Sequence, residues 1–299
     1  MQQIQQIKKI LVITLLVLKI IAYTIIGLLV TYAVIFSIVG SMVIYKGYRY
    51  FTAPIKEVAL YKTFNPKQTK FMEKCLSDLA ADSLSPDTLI HAFIPLDSIS
   101  PNLTEAVIAA EDDGFYLHPG IDIASILSAA EYNRTKGKNT RGASTLTQQM
   151  AKNFFLSGER TFDRKVKELL YAVLMERYLG KDRILELYMN YAQWGRNIFG
   201  CEAAAQFYYK KSAKKLSRGE AARLAAVLAK PSTLTPFHTK SIYMGKRLSV
   251  IAQNLYLHHT IGDSDHYALT GTMPPVKPEK DSTKQSVKTQ QDKVERQSF

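Results

Sequence analysis

The most apolar part of the chain lies near its N-terminus, where no charged residue occurs between Ile20 and Ile44. About 20 apolar residues are enough for a helix to cross a bilayer, so residues 20–44 are predicted to form a transmembrane helix. The stretch is too long for a signal peptide and lacks a small-residue cleavage site. Residues 1–19 then form a short segment before the helix.

Residues 45–90 form a juxtamembrane segment that is rich in Tyr, Phe and Lys. Aromatic rings and basic side chains suit the headgroup layer of a bilayer. The alternative is a short linker followed by a packed helix, and the two descriptions could hold for different halves. The flanking charges do not fix the orientation of the apolar helix, because basic residues lie on both sides of it.

Beyond residue 90 the apolar positions recur at helical spacing, and nothing resembles a run of strands. The predicted fold class is therefore mainly α, with a helical domain over residues 91–260. Alanines in the segments AAAQ and ARLAAVLA favour close packing of helices in the core. Residues 274–299 are polar, charged and poor in aromatic residues, which predicts a disordered tail.

The stretch AEDDGFYLHPG, from Ala110 to Gly120, follows a predicted helix with Ser100 as N-cap and Pro101 at its first position. Glu111 therefore lies near the helix C-terminus, where the macrodipole disfavours negative charge and should raise a carboxyl pKa. A general base needs a pKa close to the working pH, so Glu111 is a candidate base. The alternative is a solvated acidic turn.

A helix predicted from Ile123 to Tyr132 is followed by a basic, glycine-containing loop at residues 133–143, which we expect to be mobile. A capping box of Thr145 and Gln148 then opens another helix. A basic loop that runs into a helix N-terminus is a reasonable anion site. It lacks the spacing of a Walker nucleotide-binding loop.

The segment RTFDRKVKELLYAVLMERYLG, which begins at Arg160, is predicted to be an amphipathic helix. At about 100° per residue, its cations fall in one stripe with Glu168. The opposite, apolar face is predicted to consist of Phe162, Val166, Leu169 and Val173. The stripe indicates a binding site for a diphosphate, with an acid placed beside it. The alternative is a solvated charged face.

The net charge of the chain is +13, which favours a polyanionic partner such as nucleic acid, an anionic membrane or a phosphorylated substrate. The two cysteines, Cys75 and Cys201, form neither a metal site nor a disulfide framework. We expect two buried free thiols, although a single bridge is the alternative in an oxidising compartment.

Five ordered segments resemble the motifs of the peptidoglycan glycosyltransferases, or transglycosylases (glycosyltransferase family 51). The family motifs E-D-x-x-F-x-x-H-x-G, G-x-S-T-x-T-Q-Q and R-x-x-x-R-K-x-x-E are matched at residues 111–120, 142–149 and 160–168. ILELYMN with Gly195 matches the fourth motif, and RLAAVLAKPSTLTP matches the fifth. In the fifth, Ala229 replaces the first of two prolines that the family often has.

The resemblance implies a lysozyme-like helical glycosyltransferase domain behind one N-terminal transmembrane helix. It implies polymerisation of lipid II, a disaccharide-pentapeptide on undecaprenyl diphosphate, by transfer of the growing chain to a sugar hydroxyl of the acceptor lipid II. The chain resembles family members without a transpeptidase domain, since an S-x-x-K match at Ser212 has no partner motifs.

The resemblance also implies roles for individual residues. Glu111 would be the general base, and Glu168 would orient cations or assist the leaving group. We expect Glu111 to lack an adjacent cation and to have the higher pKa, because Glu168 has Arg164, Lys165 and Lys167 beside it. The implied substrate-binding residues are Asp112, Phe115, His118, Ser144, Thr147, Gln148, Gln149, Lys152, Asn153, Arg160, Arg164, Lys165 and Asn190.

No cofactor or protein metal site is implied as required, although Mg²⁺ or Mn²⁺ could bridge the two phosphates. The expected partners are lipid II, the growing glycan strand, the membrane and other cell-wall synthesis proteins, but not nucleic acid. The expected location is the inner (cytoplasmic) membrane, crossed once, with residues 1–19 cytoplasmic and the catalytic domain periplasmic.

Three other functions compete with this one. A lysozyme-like muramidase that cleaves glycan would share the carboxylate and the fold but would not need the basic stripe. A nucleotide-sugar glycosyltransferase would use the D-x-D match at Asp263–Asp265, which we interpret as a loop far from the other motifs. A non-enzymatic membrane tether would need neither the acids nor the cations at these spacings.

Overall fold

The computed structural model describes residues 1–81, 88–137, 142–156 and 161–275. The chain divides into two units, one from Met1 to Glu57 and the other from Val58 onward. Arg160, part of the basic loop and nearly all of the predicted tail lie outside the described residues.

Helices dominate the described residues, which confirms the predicted mainly α fold class. The helices are α1 (Gln2–Leu60), α2 (Lys70–Ala80), α3 (Pro101–Glu111), α4 (Ile123–Lys136), α5 (Leu146–Phe155), α6 (Phe162–Tyr178), α7 (Lys181–Tyr191), α8 (Cys201–Tyr209), α9 (Arg218–Val227), α10 (Ile242–Leu257) and α11 (Asp263–Thr270). The strands are β1 (Ile90–His91) and β2 (Ile198–Phe199), and they pair in parallel.

α1 contains the predicted transmembrane stretch and extends beyond it at both ends. The large apolar side chains from Ile20 to Ile44 are exposed. Among the described residues, α1 is the one helix long and apolar enough to cross a bilayer. This is consistent with a single membrane anchor.

The juxtamembrane segment also contains a packed helix, α2, as the alternative interpretation proposed. Thr69 caps it by accepting the backbone N–H of Met72 at 3.3 Å. Met72 and Leu79 are buried, and Lys70 Nζ donates to the carbonyl of Phe155 on α5 at 2.8 Å. This part of the segment therefore belongs to the globular core.

The core of the second unit packs small residues closely, as predicted. The buried alanines of α8 and α9 are Ala203, Ala204, Ala205, Ala221, Ala222, Ala225 and Ala226. α3 packs against α9 and α10, and α5 packs against α6 and α7. These contacts fix the helices that carry the two candidate catalytic acids.

Both cysteines are free thiols, as predicted, but the prediction that both are buried is wrong for Cys75. Only Cys201 is fully buried, whereas Cys75 is partly exposed. Burial raises the pKa of both thiols above the ordinary value.

The predicted end of α4 is wrong. The helix does not stop at Tyr132 but continues to Lys136, where Gly137 caps it in the left-handed conformation with φ of 62°. Arg134 and Lys136 were expected in a loop, but they lie in the last helical turn, where the macrodipole favours cations.

The D-x-D triplet is also not a loop. It forms the first turn of α11, and Asp265 pairs with Arg218 at 2.6 Å. Asp265 therefore ties α11 to α9 through an ion pair.

The predicted apolar face of α6 is wrong as well. Phe162 is 86% exposed and Val173 is 47% exposed. The buried face instead carries Glu168 and Tyr171, and the Tyr171 ring stacks on Phe155 of α5 at 4.3 Å. Glu168 can be buried because Arg164 and Lys165 neutralise its charge. The face of α6 that packs against α5 is therefore the one with Tyr171 and Glu168, not the most apolar one.

Candidate active site

Glu111 is the last residue of α3, and its carboxylate is held from two sides. Arg247 on α10 donates from Nη2 to Oε1 at 2.6 Å, and Gln149 on α5 donates from Nε2 to Oε2 at 3.1 Å. The hydroxyl of Tyr188 donates to Gln149 Oε1 at 3.3 Å and so orients the amide. The expectation that Glu111 lacks an adjacent cation is wrong, because Arg247 is distant in sequence and reaches it only in the folded chain.

Burial raises the pKa of Glu111 above its ordinary value. The charge of Arg247 and the hydrogen bonds from Gln149 and Arg247 oppose that rise, and the neighbouring Asp112 adds to it. The predicted direction is confirmed. Its main cause is burial rather than the helix macrodipole.

Asp112 joins the end of α3 to the start of α5. Its Oδ2 accepts the N–H of Leu146 at 2.8 Å, and its Oδ1 contacts Nε2 of His118 at 2.9 Å. Because the N–H of Gly120 donates to Nδ1 of His118 at 3.1 Å, the ring carries its proton on Nε2 and donates it to Asp112. Asp112 thus places a carboxylate of the protein at the N-terminus of α5, where a bound anion was expected from the sequence.

Phe115 is fully buried, and Lys181 Nζ lies 4.3 Å from the centre of its ring. Lys181 also pairs with Glu176 at 2.8 Å, and Glu176 accepts the hydroxyl of Thr147 at 2.6 Å. Phe115 and Thr147 are themselves buried and thus belong to one network that ties α5 to α6 and α7.

Gly120 is required where the loop passes this network. Its φ of +88° disfavours a side chain, and a Cβ would lie 2.7 Å from Cγ of Glu176 and 3.2 Å from the carbonyl of Ala172. Its own carbonyl accepts the Thr145 hydroxyl at 2.6 Å.

Gly120→Ala should therefore lower the free energy of unfolding by about 1–3 kcal/mol and displace the loop that holds Asp112. Gly137→Ala is the matched control, since Gly137 also has positive φ but a Cβ added there would meet nothing within 4 Å. Thermal or denaturant unfolding measures both. Equal losses in the two variants would contradict a collision at Gly120.

The predicted capping box at α5 is confirmed. Thr145 Oγ1 accepts the N–H of Gln148 at 3.2 Å, and Gln148 Oε1 accepts the N–H of Thr145 at 2.9 Å. Both side chains are buried. They fix the N-terminus of the helix that carries Gln149 and Lys152.

Glu168 is the second acid, and its side chain is only 5% exposed. Arg164 Nη1 donates to Oε2 at 2.9 Å, and Lys165 Nζ donates to Oε1 at 2.5 Å. Lys167, expected beside Glu168, instead pairs with Asp163 at 2.7 Å. Within the described part of the chain, the cations recorded on the buried acid are therefore Arg164 and Lys165.

The remaining predicted site residues differ in exposure. Ser144 and Lys152 are exposed, and Asn153 is partly exposed. Asn190 is buried, where its amide donates to the carbonyl of Ile94 and accepts the N–H of Ile94, both at 2.8 Å. Arg160 lies outside the described residues.

A cleft of about 320 Å³ opens beside Glu111. It is lined by Glu111, Asp112, Asp113, Gly114, Asp122, Ser125, Gly142, Ala143, Ser144 and Thr145. The first two family motifs thus meet in one cleft. The carboxylates of the cleft can accept hydrogen bonds from hydroxyl groups. The two cations that bind Glu168, Arg164 and Lys165, lie on α6.

Sequence reasoning missed Arg247 and Glu176. A signal for Arg247 exists in the spacing of α10, where Arg247, Asn254 and His258 share a face with the buried Ile251. A basic residue on a buried helix face indicates an internal carboxylate partner.

The described residues do not supply a protein metal site. No group of three His, Cys, Asp or Glu side chains among them could share a metal ion. Both oxygens of Glu168 are bonded to Arg164 and Lys165.

Comparison with known proteins identifies the family. The Transglycosylase family profile matches residues 82–256. The biosynthetic peptidoglycan transglycosylase of Burkholderia orbicola (strain MC0-3) is 41% identical over 201 residues, covering 67% of this chain and 81% of the relative. That of Paraburkholderia xenovorans (strain LB400) is 41% identical over 200 residues, covering 67% and 82%. The chain therefore belongs to the transglycosylase family.

Proposed function

We propose that this chain, which is a peptidoglycan glycosyltransferase, polymerises lipid II with Glu111 as general base. The acceptor hydroxyl attacks the anomeric carbon of the growing chain, and the bond from that carbon to the diphosphate oxygen breaks. The hydroxyl proton passes to Glu111, and undecaprenyl diphosphate leaves. The observation that carries the proposal is a largely buried carboxylate of raised pKa that lines a cleft.

Glu111 suits the base role for two reasons. Its raised pKa brings its proton affinity closer to neutral pH, where a general base is most effective. Gln149 and Arg247 fix its two oxygens, so the carboxylate is oriented before the substrate arrives.

Cations of α5, of α6 and of the sequence before α6 supply the diphosphate end of the site in this account. Lys152, Arg160 and Arg164 would neutralise charge on the leaving group, an electrostatic effect that usually dominates such transfers. Glu168 holds Arg164 and Lys165 in place. A divalent cation bridging the phosphates would belong to the substrate.

Several motif residues act as framework in this account rather than as substrate contacts. Their side chains are bonded within the protein or packed in its interior, and all but the partly buried His118 are buried: Asp112, Phe115, His118, Thr147, Gln148 and Asn190. Ser144, Gln149, Lys152 and Asn153 remain the better candidates for direct contact.

A glycan-cleaving muramidase is the second candidate, because it would also use a buried carboxylate. The acid paired with two cations on α6 favours synthesis, since cleavage of a glycan releases no diphosphate. The purified full chain should be incubated separately with lipid II and with preformed uncrosslinked glycan. Consumption of lipid II without shortening of the glycan is expected, and the reverse result would assign the muramidase function.

We also propose that α1 anchors the chain in the inner membrane once, with the catalytic unit on the periplasmic side. The exposed apolar surface of α1 supports the membrane anchor. The orientation rests on the resemblance to the family, which implies polymerisation of lipid II on the outer face of the inner membrane. A reporter fused after Phe299 that is active only in the periplasm should give signal. A fusion that is active only with a cytoplasmic reporter contradicts this orientation.

A further inference from the structure

We propose that Arg247, on α10, is a positioning residue for the general base and that α10 thereby forms part of the catalytic site. Arg247 lies after the last of the five family motifs. The inference rests on the proposed role of Glu111 as base.

α10 holds the C-terminal end of α3 through several side-chain bonds. Asn254 Nδ2 donates to the carbonyl of Ala109 at 2.8 Å. Arg247 Nη2 donates to the carbonyl of Ala110 at 3.1 Å and to Glu111 Oε1 at 2.6 Å. The last carbonyls of a helix lack partners within the helix, so α10 caps α3 from outside. Arg247 thus fixes both the backbone that carries the base and the carboxylate itself.

The pair is well shielded from water, which makes its charge balance important. The side chains of Arg247 and Glu111 are 21% and 13% exposed. Burial raises the pKa of Glu111 and Arg247 lowers it, so removal of the cation would leave Glu111 protonated to higher pH. A protonated carboxyl cannot take the hydroxyl proton.

The remaining hydrogen-bonding capacity of the carboxylate lies on the other oxygen. Oε2 is bonded to the neutral amide of Gln149. A carboxylate oxygen can accept more than one hydrogen bond, so Oε2 can receive the acceptor hydroxyl while Oε1 stays on Arg247.

Other titratable groups near this site do not replace the cation. They are Asp112 and Asp113 after α3, Tyr188 on α7, Lys152 on α5 one turn beyond Gln149, and His258 after α10. Asp112 raises the pKa of Glu111, and His258 pairs with Asp113 at 2.9 Å. Burial holds the pKa of Tyr188 well above its ordinary value, so its phenol stays neutral. Among the described contacts of Glu111, Arg247 supplies the positive charge.

The test measures kcat/KM for lipid II polymerisation by the full chain between about pH 5 and pH 9. Arg247→Gln removes the charge but keeps a hydrogen-bond donor. The acid limb of the plot of kcat/KM against pH should move to higher pH by about 1–3 units, because an adjacent cation usually lowers the pKa of a carboxyl by that amount. Activity should recover toward the parental value at high pH. Only Nη2 of Arg247 makes the contact, and its Nε has no partner among the described residues, so Arg247→Lys should keep the parental acid limb.

Asn254→Ala is the matched control, because it removes a bond from the same helix to the same end of α3 without touching the carboxylate. It should lower the unfolding temperature and leave the acid limb in place. A rate loss in Arg247→Gln that is uniform with pH, or a raised acid limb in Arg247→Lys, would overturn the proposal.

Two further variants separate this proposal from the base assignment. If Glu111→Gln polymerises normally, both roles fail; if it is inactive while Arg247→Gln keeps the parental acid limb, only the role of Arg247 fails.

Unfolding provides a readout that needs no catalysis. In Arg247→Gln the pKa of Glu111 in the folded state is raised further above its value in the unfolded chain. The free energy of unfolding of this variant should therefore fall as pH rises from the ordinary carboxyl pKa to the raised one. Adding Glu111→Gln should restore the unfolding temperature, and no restoration would also overturn the proposal.

Discussion

Glu111→Gln is expected to abolish lipid II polymerisation while the folded protein still binds its lipid substrate. Glutamine has nearly the same shape and can still contact Arg247, but it cannot take up the hydroxyl proton. A positioned general base contributes about 10²- to 10⁴-fold to a rate, so a loss of at least about a hundredfold is expected. The measurement is initial-rate polymerisation with a separate lipid II binding assay.

Glu105→Gln is the matched control, because it makes the same change on the same helix six residues earlier. Glu105 is partly exposed and does not line the cleft beside Glu111. Near-parental activity is expected from this control. Polymerisation by Glu111→Gln within tenfold of the parent would remove Glu111 from its role and the proposed mechanism with it.

Glu168→Gln is expected to lower kcat/KM by about one to two orders of magnitude, with a raised KM as part of the defect. A neutral amide cannot hold both Arg164 and Lys165, so the two cations repel each other and lose their alignment. Charge-assisted contacts to a phosphate lose about 1.5–3 kcal/mol when they are removed, which sets this magnitude. Steady-state kinetics with lipid II measures the effect.

Asp163→Asn provides the comparison for Glu168→Gln, since it breaks the exposed pair with Lys167 on the same helix. Exposed ion pairs contribute little to stability, so this variant should resemble the parent. If Glu168→Gln keeps the parental KM and loses only stability, Glu168 is a structural residue and does not align Arg164 and Lys165 for diphosphate binding.

The sequence predicted the features that depend on neighbours along the chain. Pro101 at the first helical position and Glu111 at the end of α3 were both predictable, because helix ends have local signals. The capping box of Thr145 and Gln148 was predictable for the same reason. The raised pKa of Glu111 was predicted in direction, but its cause required knowledge of burial.

The features that sequence reasoning missed depend on contacts between distant segments. Arg247 meets Glu111 only because α10 packs against α3. The orientation of α6 was predicted from its most apolar stripe, yet Tyr171 stacks on Phe155 and turns Glu168 inward. Apolar periodicity did not reveal this because a neutralised acid can be buried beside an aromatic contact.

The most direct measurement of the central claim follows polymer formation and undecaprenyl diphosphate release together, using the purified full chain and lipid II. The account predicts a polymer that a muramidase digests, with one undecaprenyl diphosphate released for each glycosidic bond formed. Unchanged lipid II, or diphosphate release accompanied by free disaccharide-pentapeptide without polymer, would contradict it.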